Sequence, residues 1–206
     1  MATWVGTTGG GDGFSWSDPK NWSPQAVPTG PVNITTAGAP VSVVIAAGSS
    51  SSAQPLVLGT TGTTKAVTLT NNGTLNNFSS GAALYSGTTL DTHGTSTLGG
   101  AVSIASGALM KVSTGGTVTT NGTISLAGSL QVNGTFIGNT FTGNGAVLVD
   151  GGTFSKLSAG LTDLSGSSSA FTITNGGIVR AQSPKSTVSF AFGTVSAGQT
   201  NVLELT

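Results

Sequence analysis

The sequence predicts an all-β fold, a single-stranded parallel β-helix in which short strands and tight corners alternate. Three observations lead to this prediction: short runs rich in Val, Ile, Thr and Phe, Gly-containing pairs between those runs, and a recurring Gly–small–apolar unit. Helix is disfavoured because Ala, Leu, Glu, Lys and Arg are too few to sustain one.

Seven runs read as strands, and many of them alternate apolar residues with small polar ones, which is the period of a half-buried strand. They are Val41–Ala46, Ala66–Thr70, Ala101–Ala105, Ala108–Val112, Ala146–Val149, Phe171–Thr174 and Thr187–Phe192. Asn-Gly and Gly-Gly pairs between them are expected to supply positive φ at tight corners. Two Ser-rich patches, Gly48–Ser52 and Ser165–Ser169, are expected to be flexible polar loops.

The Gly–small–apolar unit predicts stacked coils, each burying its apolar residues inward. Four units begin six residues apart, at positions 116, 122, 128 and 134. The predicted structural corners are Gly73, Gly116, Gly122, Gly128, Gly134 and Gly152. The predicted inward residues are Leu69, Leu75, Leu84, Ile104, Val118, Ile124, Leu130, Phe136, Val147 and Phe154.

A β-sandwich is the alternative fold, since Asn-Gly corners also favour antiparallel hairpins. Sandwich strands are longer and their turns less frequent than those of residues 70–160. The strict six-residue spacing is typical of a left-handed hexapeptide helix, but it covers only residues 116–139. The looser spacing elsewhere favours a right-handed helix, which tolerates loops at its corners.

The composition excludes several classes of function. Charged residues make up 6 % of the 206 residues, and the net charge is zero, so the chain lacks the basic surface that nucleic acids require. The sequence contains no run of 18 apolar residues, so no segment is predicted to span a membrane. With no cysteine and one histidine, a zinc site cannot form, and no cofactor motif is present.

The first 40 residues differ from the rest, because they hold Trp4, Trp16 and Trp22, the three tryptophans of the chain. No linker interrupts the later repeats. The predicted organisation is therefore a Trp-rich N-terminal cap over residues 1–40 and one continuous β-helix over residues 41–206.

The N-terminal motif reads Trp4-Val5-Gly6, a Gly-rich loop, Trp16 to Asn21-Trp22, and Val27-Pro28, followed by short strands. It resembles a module of large bacterial secreted, autotransporter-like surface proteins, in which such a motif leads into a β-helix. The resemblance covers about the first 60 residues, and the later repeats resemble filamentous-adhesin β-helices. Pro31-Val32-Asn33 departs from the family's acidic residue before the first strand, which argues against a metal site there.

The tryptophans have two possible roles. They can cover the end of the solenoid core, since each aromatic ring buries a large apolar area, or they can form a platform that stacks on a sugar ring. Asp12 and Asp18 lie in the same loop, where turn capping by hydrogen bonds to backbone N–H groups is one interpretation and a weak calcium site is the other.

Catalytic chemistry has little support in the sequence. The six acidic residues are dispersed, whereas glycoside hydrolysis needs two carboxyl groups facing one sugar. Asp91 and His93 form the single acid–histidine pair, interpreted as an exposed polar corner. Thr-x-Thr units occur at Thr68–Thr70, Thr117–Thr119 and Thr172–Thr174, a pattern that suggests ice binding when it recurs once per coil, but these three are scattered.

These observations predict a non-enzymatic structural or adhesive segment of a large secreted bacterial surface protein, acting as a stalk, passenger or self-association scaffold. The expected location is extracellular or on the cell surface. Expected partners are other copies, neighbouring repeats of a longer chain, or glycans, with no nucleic acid and no membrane insertion. The alternatives are a carbohydrate-binding module, a polysaccharide-acting β-helix enzyme and an ice-binding protein.

Overall fold

A computed structural model of the 206-residue chain describes residues 1–36, 38–62, 65–77, 80–156, 162–164, 170–181, 188–190, 192–195 and 202–205. The chain winds into a parallel β-solenoid with three sheets, and each coil adds one strand to every sheet. The predicted β-helix is confirmed and the β-sandwich alternative is wrong. The right-handed sense of coiling stays a prediction.

Three sheets, named A, B and C, form the walls of the solenoid. Sheet A contains β1 (Ala2–Trp4), β2 (Trp22–Ser23), β3 (Val32–Ile34), β6 (Leu56–Leu58), β9 (Ala82–Leu84), β12 (Val102–Ile104), β15 (Thr123–Leu126), β18 (Thr140–Gly143), β21 (Thr162–Leu164) and β24 (Val188–Phe190). Sheet B contains β4 (Val41–Ile45), β7 (Val67–Asn71), β10 (Thr88–Thr92), β13 (Leu109–Val112), β16 (Ser129–Val132), β19 (Ala146–Asp150), β22 (Ala170–Thr174) and β25 (Phe192–Val195). Sheet C contains β5 (Ser50–Ser52), β8 (Thr74–Asn77), β11 (Thr95–Leu98), β14 (Thr117–Thr120), β17 (Thr135–Gly138), β20 (Thr153–Lys156), β23 (Ile178–Ala181) and β26 (Val202–Leu205).

The six-residue unit of the sequence is one strand with its corner, and three units make one coil. Thr117 therefore pairs with Thr135, three units further along the chain. Other coils are longer, as between Val41 and Val67, because some corners carry longer loops. The spacing in sequence is irregular, while the pairing in space stays in register except for one shift between β22 and β25.

The core is a stack of apolar side chains, and all ten predicted inward residues are buried. Aromatic rings fill its later coils: Phe136 stacks on Phe154 with centroids 5.5 Å apart and planes 11° from parallel. Gly138 lies beside them, where an added Cβ would come within 2.7 Å of the Phe136 ring. A glycine at this inward position thus makes room for the stacked rings.

The interior also contains a small hydrogen-bonded polar group. Asn71 is fully buried, and its amide donates to the Thr95 carbonyl at 2.8 Å and to the Ser96 hydroxyl at 3.0 Å. Its Oδ1 accepts from the backbone N–H of Gly73 at 3.1 Å. Because the amide is satisfied on both sides, it fastens the sheet B–C corner of one coil to the next coil.

The six predicted corner glycines lie between strands as expected, but positive φ is not the reason at any of them. Positive φ occurs at Gly115 and Gly151, the first members of their pairs, and not at the six predicted corner glycines. At those six the preceding coil approaches too closely: a Cβ on Gly134 would lie 2.4 Å from the carbonyl oxygen of Gly116. Tight stacking of the coils, rather than turn geometry, requires glycine here.

Two local predictions need revision. Residues 50–52 of the patch predicted as a loop form β5, in which Ser51 is buried and pairs with Leu75. β5 is the terminal strand of sheet C and pairs only with β8, so small serine side chains are sufficient there. The run Thr187–Phe192 is not one strand, since its described residues belong to β24 in sheet A and β25 in sheet B. The patch Ser165–Ser169 lies outside the described residues.

The solenoid begins earlier than the predicted boundary at residue 41. β3 pairs in register with β6, Val32 opposite Leu56, and so belongs to the first coil. The cap proper therefore ends before Val32. In the described part of the chain, no helix is long and apolar enough to cross a membrane.

Candidate functional site: the N-terminal cap and a polar corner

The three tryptophans form one buried cluster at the N-terminal end of the core. Trp22 is fully buried, Trp16 is 1 % exposed and Trp4 is 6 % exposed. The Trp22 ring makes edge contacts with both others, at centroid distances of 4.9 Å. Its Nε1–H donates to the Trp16 carbonyl at 2.8 Å, which holds the cluster in one arrangement.

The cap is attached to the first coil by backbone pairing. β1 runs parallel to β3 and antiparallel to β2, so it extends sheet A and then ends the parallel ladder. On sheet B, Val44 donates to the Phe14 carbonyl at 2.7 Å, and the Trp16 N–H donates to the Val44 carbonyl at 2.9 Å. The cap thereby covers the edges of two of the three sheets.

The sugar-platform role does not fit the tryptophans, because stacking on a sugar needs an exposed ring face and all three rings are buried. The exposed aromatic ring of the cap is Phe14, with 55 % of its surface accessible. The sequence could not single it out, since its carbonyl accepts from the Val44 N–H while its side chain turns outward.

The two calcium candidates act within the loop as acceptors for backbone groups. Asp12 Oδ1 accepts from the N–H groups of Phe14 at 3.0 Å and Ser15 at 2.8 Å. Asp18 accepts from the N–H groups of Asp12 and Lys20, both at 2.9 Å. This is the turn-capping arrangement. Among the described residues, no three His, Cys, Asp or Glu side chains cluster as metal ligands would.

Asn21 joins this loop to the tryptophan cluster. It is fully buried, and its amide donates to Asp12 Oδ1 at 2.7 Å and to the Ser15 carbonyl at 2.8 Å. Its Oδ1 accepts from the Gly13 N–H at 2.9 Å. Trp22 follows directly in sequence, so the loop network fixes where the central indole enters the core.

We expect the cap to loosen in acid. Hydrogen bonds from the backbone of Phe14, then of Ser15, lower the pKa of Asp12 below its ordinary value of 3.8. Because the folded-state pKa is the lower one, this contribution to stability is present above pH 3.8 and is lost as the pH falls through the folded pKa. Tryptophan fluorescence measured during acid titration should report exposure of the cluster as the pH falls through the folded-state pKa of Asp12.

Two variants make this titration specific to the cap. Asp12→Asn keeps the size of the side chain but removes the titration, so its acid transition should be weaker. Asp150→Asn removes a second carboxyl of lowered pKa that lies far along the chain, and it should leave the tryptophan transition unchanged. An identical acid transition in the parent and in Asp12→Asn would show that Asp12 does not control the cap.

A second polar group lies where sheet B turns into sheet C. Asp91, Lys111 and Gln131 stand opposite one another on β10, β13 and β16. His93 and Ser113 follow the ends of β10 and β13. We call Asp91, His93, Lys111 and Ser113 the polar corner. The coil period brings these residues together although about twenty residues separate them in sequence.

Asp91 is the common acceptor of the polar corner. Its Oδ1 accepts from the Ser113 hydroxyl at 2.7 Å. Its Oδ2 lies 3.3 Å from His93 Nε2 and 3.5 Å from Lys111 Nζ. The Asp91 side chain is 18 % exposed and that of His93 is 44 % exposed, so the group is reached from solvent on one side.

A further carboxyl, Asp150, lies at the end of β19 and contacts Asn133. Its oxygens accept from the Thr174 hydroxyl at 2.9 Å, from the Asn133 amide at 3.1 Å and from the Asn175 amide. The Asn175 bond, followed by the Thr174 bond, lowers the pKa of Asp150. Asn133 Oδ1 is buried without a hydrogen-bond partner, beside an open cleft that His93, Lys111 and Ser113 also line.

The polar corner contains the residue types of a serine hydrolase in a different arrangement. In such enzymes His takes the proton of Ser, and Asp orients the His. Here the Ser113 hydroxyl donates to the Asp91 carboxylate, so it is not paired with the His93 imidazole as in such an enzyme. The cleft can offer hydrogen bonds to a small polar group, and the Ser, His and Asp side chains of the polar corner do not form the relay of a serine hydrolase.

The sequence identified Asp91 and His93 and missed Lys111 and Ser113. Only the register of β10 with β13 places the four together, and no fixed spacing in the sequence signals that register. Comparison of the chain with known protein families, curated proteins and solved structures gives no match. A function must therefore be argued from the geometry.

Proposed function

We propose that this chain is a non-enzymatic structural or adhesive segment of a large secreted bacterial surface protein, acting at the cell surface as a stalk, passenger or self-association scaffold. The observation that carries the proposal is the unbroken ladder of three parallel sheets with nearly uncharged walls. A solenoid of this kind gives stiffness and a repetitive surface, since each coil contacts only its neighbours.

The two ends of the solenoid differ, which gives the proposed scaffold a direction. At the N-terminal end the cap covers sheets A and B, and the antiparallel β2 cannot template another parallel coil. At the other end β24, β25 and β26 are the last strands of the three sheets. Such edges offer backbone donors and acceptors for pairing, so further repeats or another copy would stack there.

The polar corner supports a non-catalytic role. The Ser113 hydroxyl is paired with Asp91 rather than with an imidazole, and Asp150 accepts hydrogen bonds from three side chains of its own surroundings. General acid–base catalysis needs a group free to exchange a proton with substrate. A polysaccharide-acting enzyme is the first alternative, and activity assays address it. Glycan binding at Phe14 or at the polar corner is the second.

We expect self-association of the chain to depend only weakly on salt. Raising the salt from about 0.1 M to about 1 M shortens the Debye length from about 10 Å to about 3 Å, but the chain has few charges to screen. Sedimentation velocity at both salt concentrations should give the same distribution of assemblies. Turnover of polysaccharides, assayed on the same samples, should be absent.

A matched pair of variants tests whether copies of the chain associate through the last strand of sheet C. Leu203→Pro removes a backbone donor from β26, the last strand of sheet C, and should weaken association. Leu203→Ala shortens the same side chain but keeps the N–H, and should associate like the parent. Loss of assembly at high salt, a monomeric parent, or equal behaviour of the two variants would contradict the scaffold mechanism. Polysaccharide turnover abolished by Asp91→Ala would replace it with an enzyme.

A further inference from the structure

The outer face of sheet C carries a column of threonines that the sequence spacing conceals. The residues pair in register from strand to strand on β8, β11, β14, β17 and β20. We call this column the threonine ladder: Thr74, Thr95, Thr117, Thr135 and Thr153. Ser50 on β5 continues it at one end, and Ile178 on β23 ends it at the other. The Thr-x-Thr unit at Thr117–Thr119 is one row of a longer array.

A second column runs beside the ladder, two residues further along each strand. It consists of Asn76, Thr97, Thr119, Ile137 and Ser155, of which Ser155 is buried. The two columns together form the threonine face. Every residue of this face is uncharged, and none is aromatic. Ile137 is its one member without a polar side-chain group.

The solenoid gives this face two regular spacings. Neighbouring parallel strands lie about 4.8 Å apart, and outward residues i and i+2 of one strand lie about 6.6 Å apart. Threonine is stiff at χ1, so threonines in register have few orientations of their methyl and hydroxyl groups to choose from. Repetition over five strands makes a two-dimensional lattice about 19 Å long along the solenoid axis.

The ladder hydroxyls are held in place but left unused. Thr95 is exposed and the other four ladder threonines are half-buried, because each packs against its neighbours in the column. Within the described parts of the chain, no side chain or backbone group forms a hydrogen bond to a ladder hydroxyl. Each hydroxyl is therefore free for a partner from solution, and little side-chain freedom remains to be lost on binding.

We propose that the threonine face binds ice. Hexagonal ice repeats at distances close to the two spacings of the face, so hydroxyls fixed at those spacings can hold water molecules in lattice positions while the methyl groups order the water between them. A glycan chain is the other flat, hydroxylated partner. It is bound by aromatic stacking, and the threonine face has no aromatic ring. This inference goes beyond the scaffold role and does not depend on it.

The test measures ice recrystallisation and partition of the purified 206-residue chain into growing ice. The parent should slow recrystallisation and enter the ice. Thr117→Tyr places a bulky ring in the middle of the ladder and should lose most of both effects. Ser129→Tyr places the same ring at an exposed position on β16 of sheet B, and it should behave like the parent. Circular dichroism and thermal melting of each variant show whether it is folded.

Thr95→Tyr serves as a second ladder variant, since Thr95 is exposed and its replacement disturbs packing least. If Thr117→Tyr fails to fold, loss of ice activity in a folded Thr95→Tyr supports the proposal. A parent without ice activity, or equal activity in the ladder and sheet B variants, would overturn it. Binding to insoluble polysaccharide that is lost in the ladder variants, without ice activity, would replace ice with a glycan.

Discussion

Replacing Ile124 by Asp is expected to unfold the middle coils of the solenoid. Ile124 is 1 % exposed and lies in register between Val102 and Phe141, inside the core. A carboxylate there would have no partner, and an unpaired buried charge is among the costliest changes a core can receive. We expect a loss of more than about 4 kcal/mol in the free energy of unfolding.

Urea denaturation followed by circular dichroism measures this loss. The matched control is Ser125→Asp, which introduces the same charge one residue further along β15, where the side chain points outward and is exposed. It should change the free energy of unfolding by no more than about 0.5 kcal/mol. If Ile124→Asp unfolds at the same urea concentration as the parent, Ile124 does not face the core.

Removal of the cap has the second largest expected effect. A chain that begins at Pro31 lacks the tryptophan cluster and exposes the end of the first coil. Val32 and Ile34, which are buried in the full chain, would become accessible there. An uncovered core and two bare sheet edges favour aggregation. We expect this truncated chain to melt at lower temperature and to form large assemblies in size-exclusion chromatography.

Single substitutions separate the cluster from the rest of the cap. Trp22→Ala should cost about 3–5 kcal/mol, because it empties the centre of the cluster. Phe14→Ala removes an aromatic ring that is 55 % exposed, and should cost much less. A truncated chain that formed no larger assemblies than the parent and was equally stable would remove the cap role of the first thirty residues.

The sequence was sufficient to predict the core. Residues such as Val118, Ile124 and Leu130 follow corner glycines at a fixed distance, and a strand that begins at a corner must turn its second residue inward. All of them are buried. The unit of one strand and its corner is short, so its pattern can be recognised in the sequence even where the coils differ in length.

Relations between coils could not be predicted in the same way. Thr74, Thr95, Thr117 and Thr135 stand in one column although their separations in sequence differ, because corner loops vary in length while hydrogen bonding keeps the strands in register. The same variation concealed the meeting of Asp91 with Ser113. The sequence predicted a tryptophan cap but left the sugar platform open, since the choice between them depends on how the cap folds back over the first coil.

The corner glycines show a different limit. The pairs in the sequence predicted corners, but the physical reason differs: Gly134 is needed because a Cβ would meet the carbonyls of Gly116 and Ser113 in the preceding coil. Sequence rules for turns describe the conformation of one residue, whereas this requirement arises from contact between residues far apart in the chain.

The central claim is that the coils stack in parallel and in register, and cysteine cross-linking tests it most directly because the native chain has no cysteine. Thr97 and Thr119 pair across β11 and β14, at a strand spacing of about 4.8 Å that a disulfide can bridge. Thr97→Cys with Thr119→Cys should form an intramolecular disulfide. Thr97→Cys with Ser103→Cys should not, since Ser103 lies in sheet A. A disulfide in the second pair and none in the first would contradict the solenoid and indicate an antiparallel hairpin.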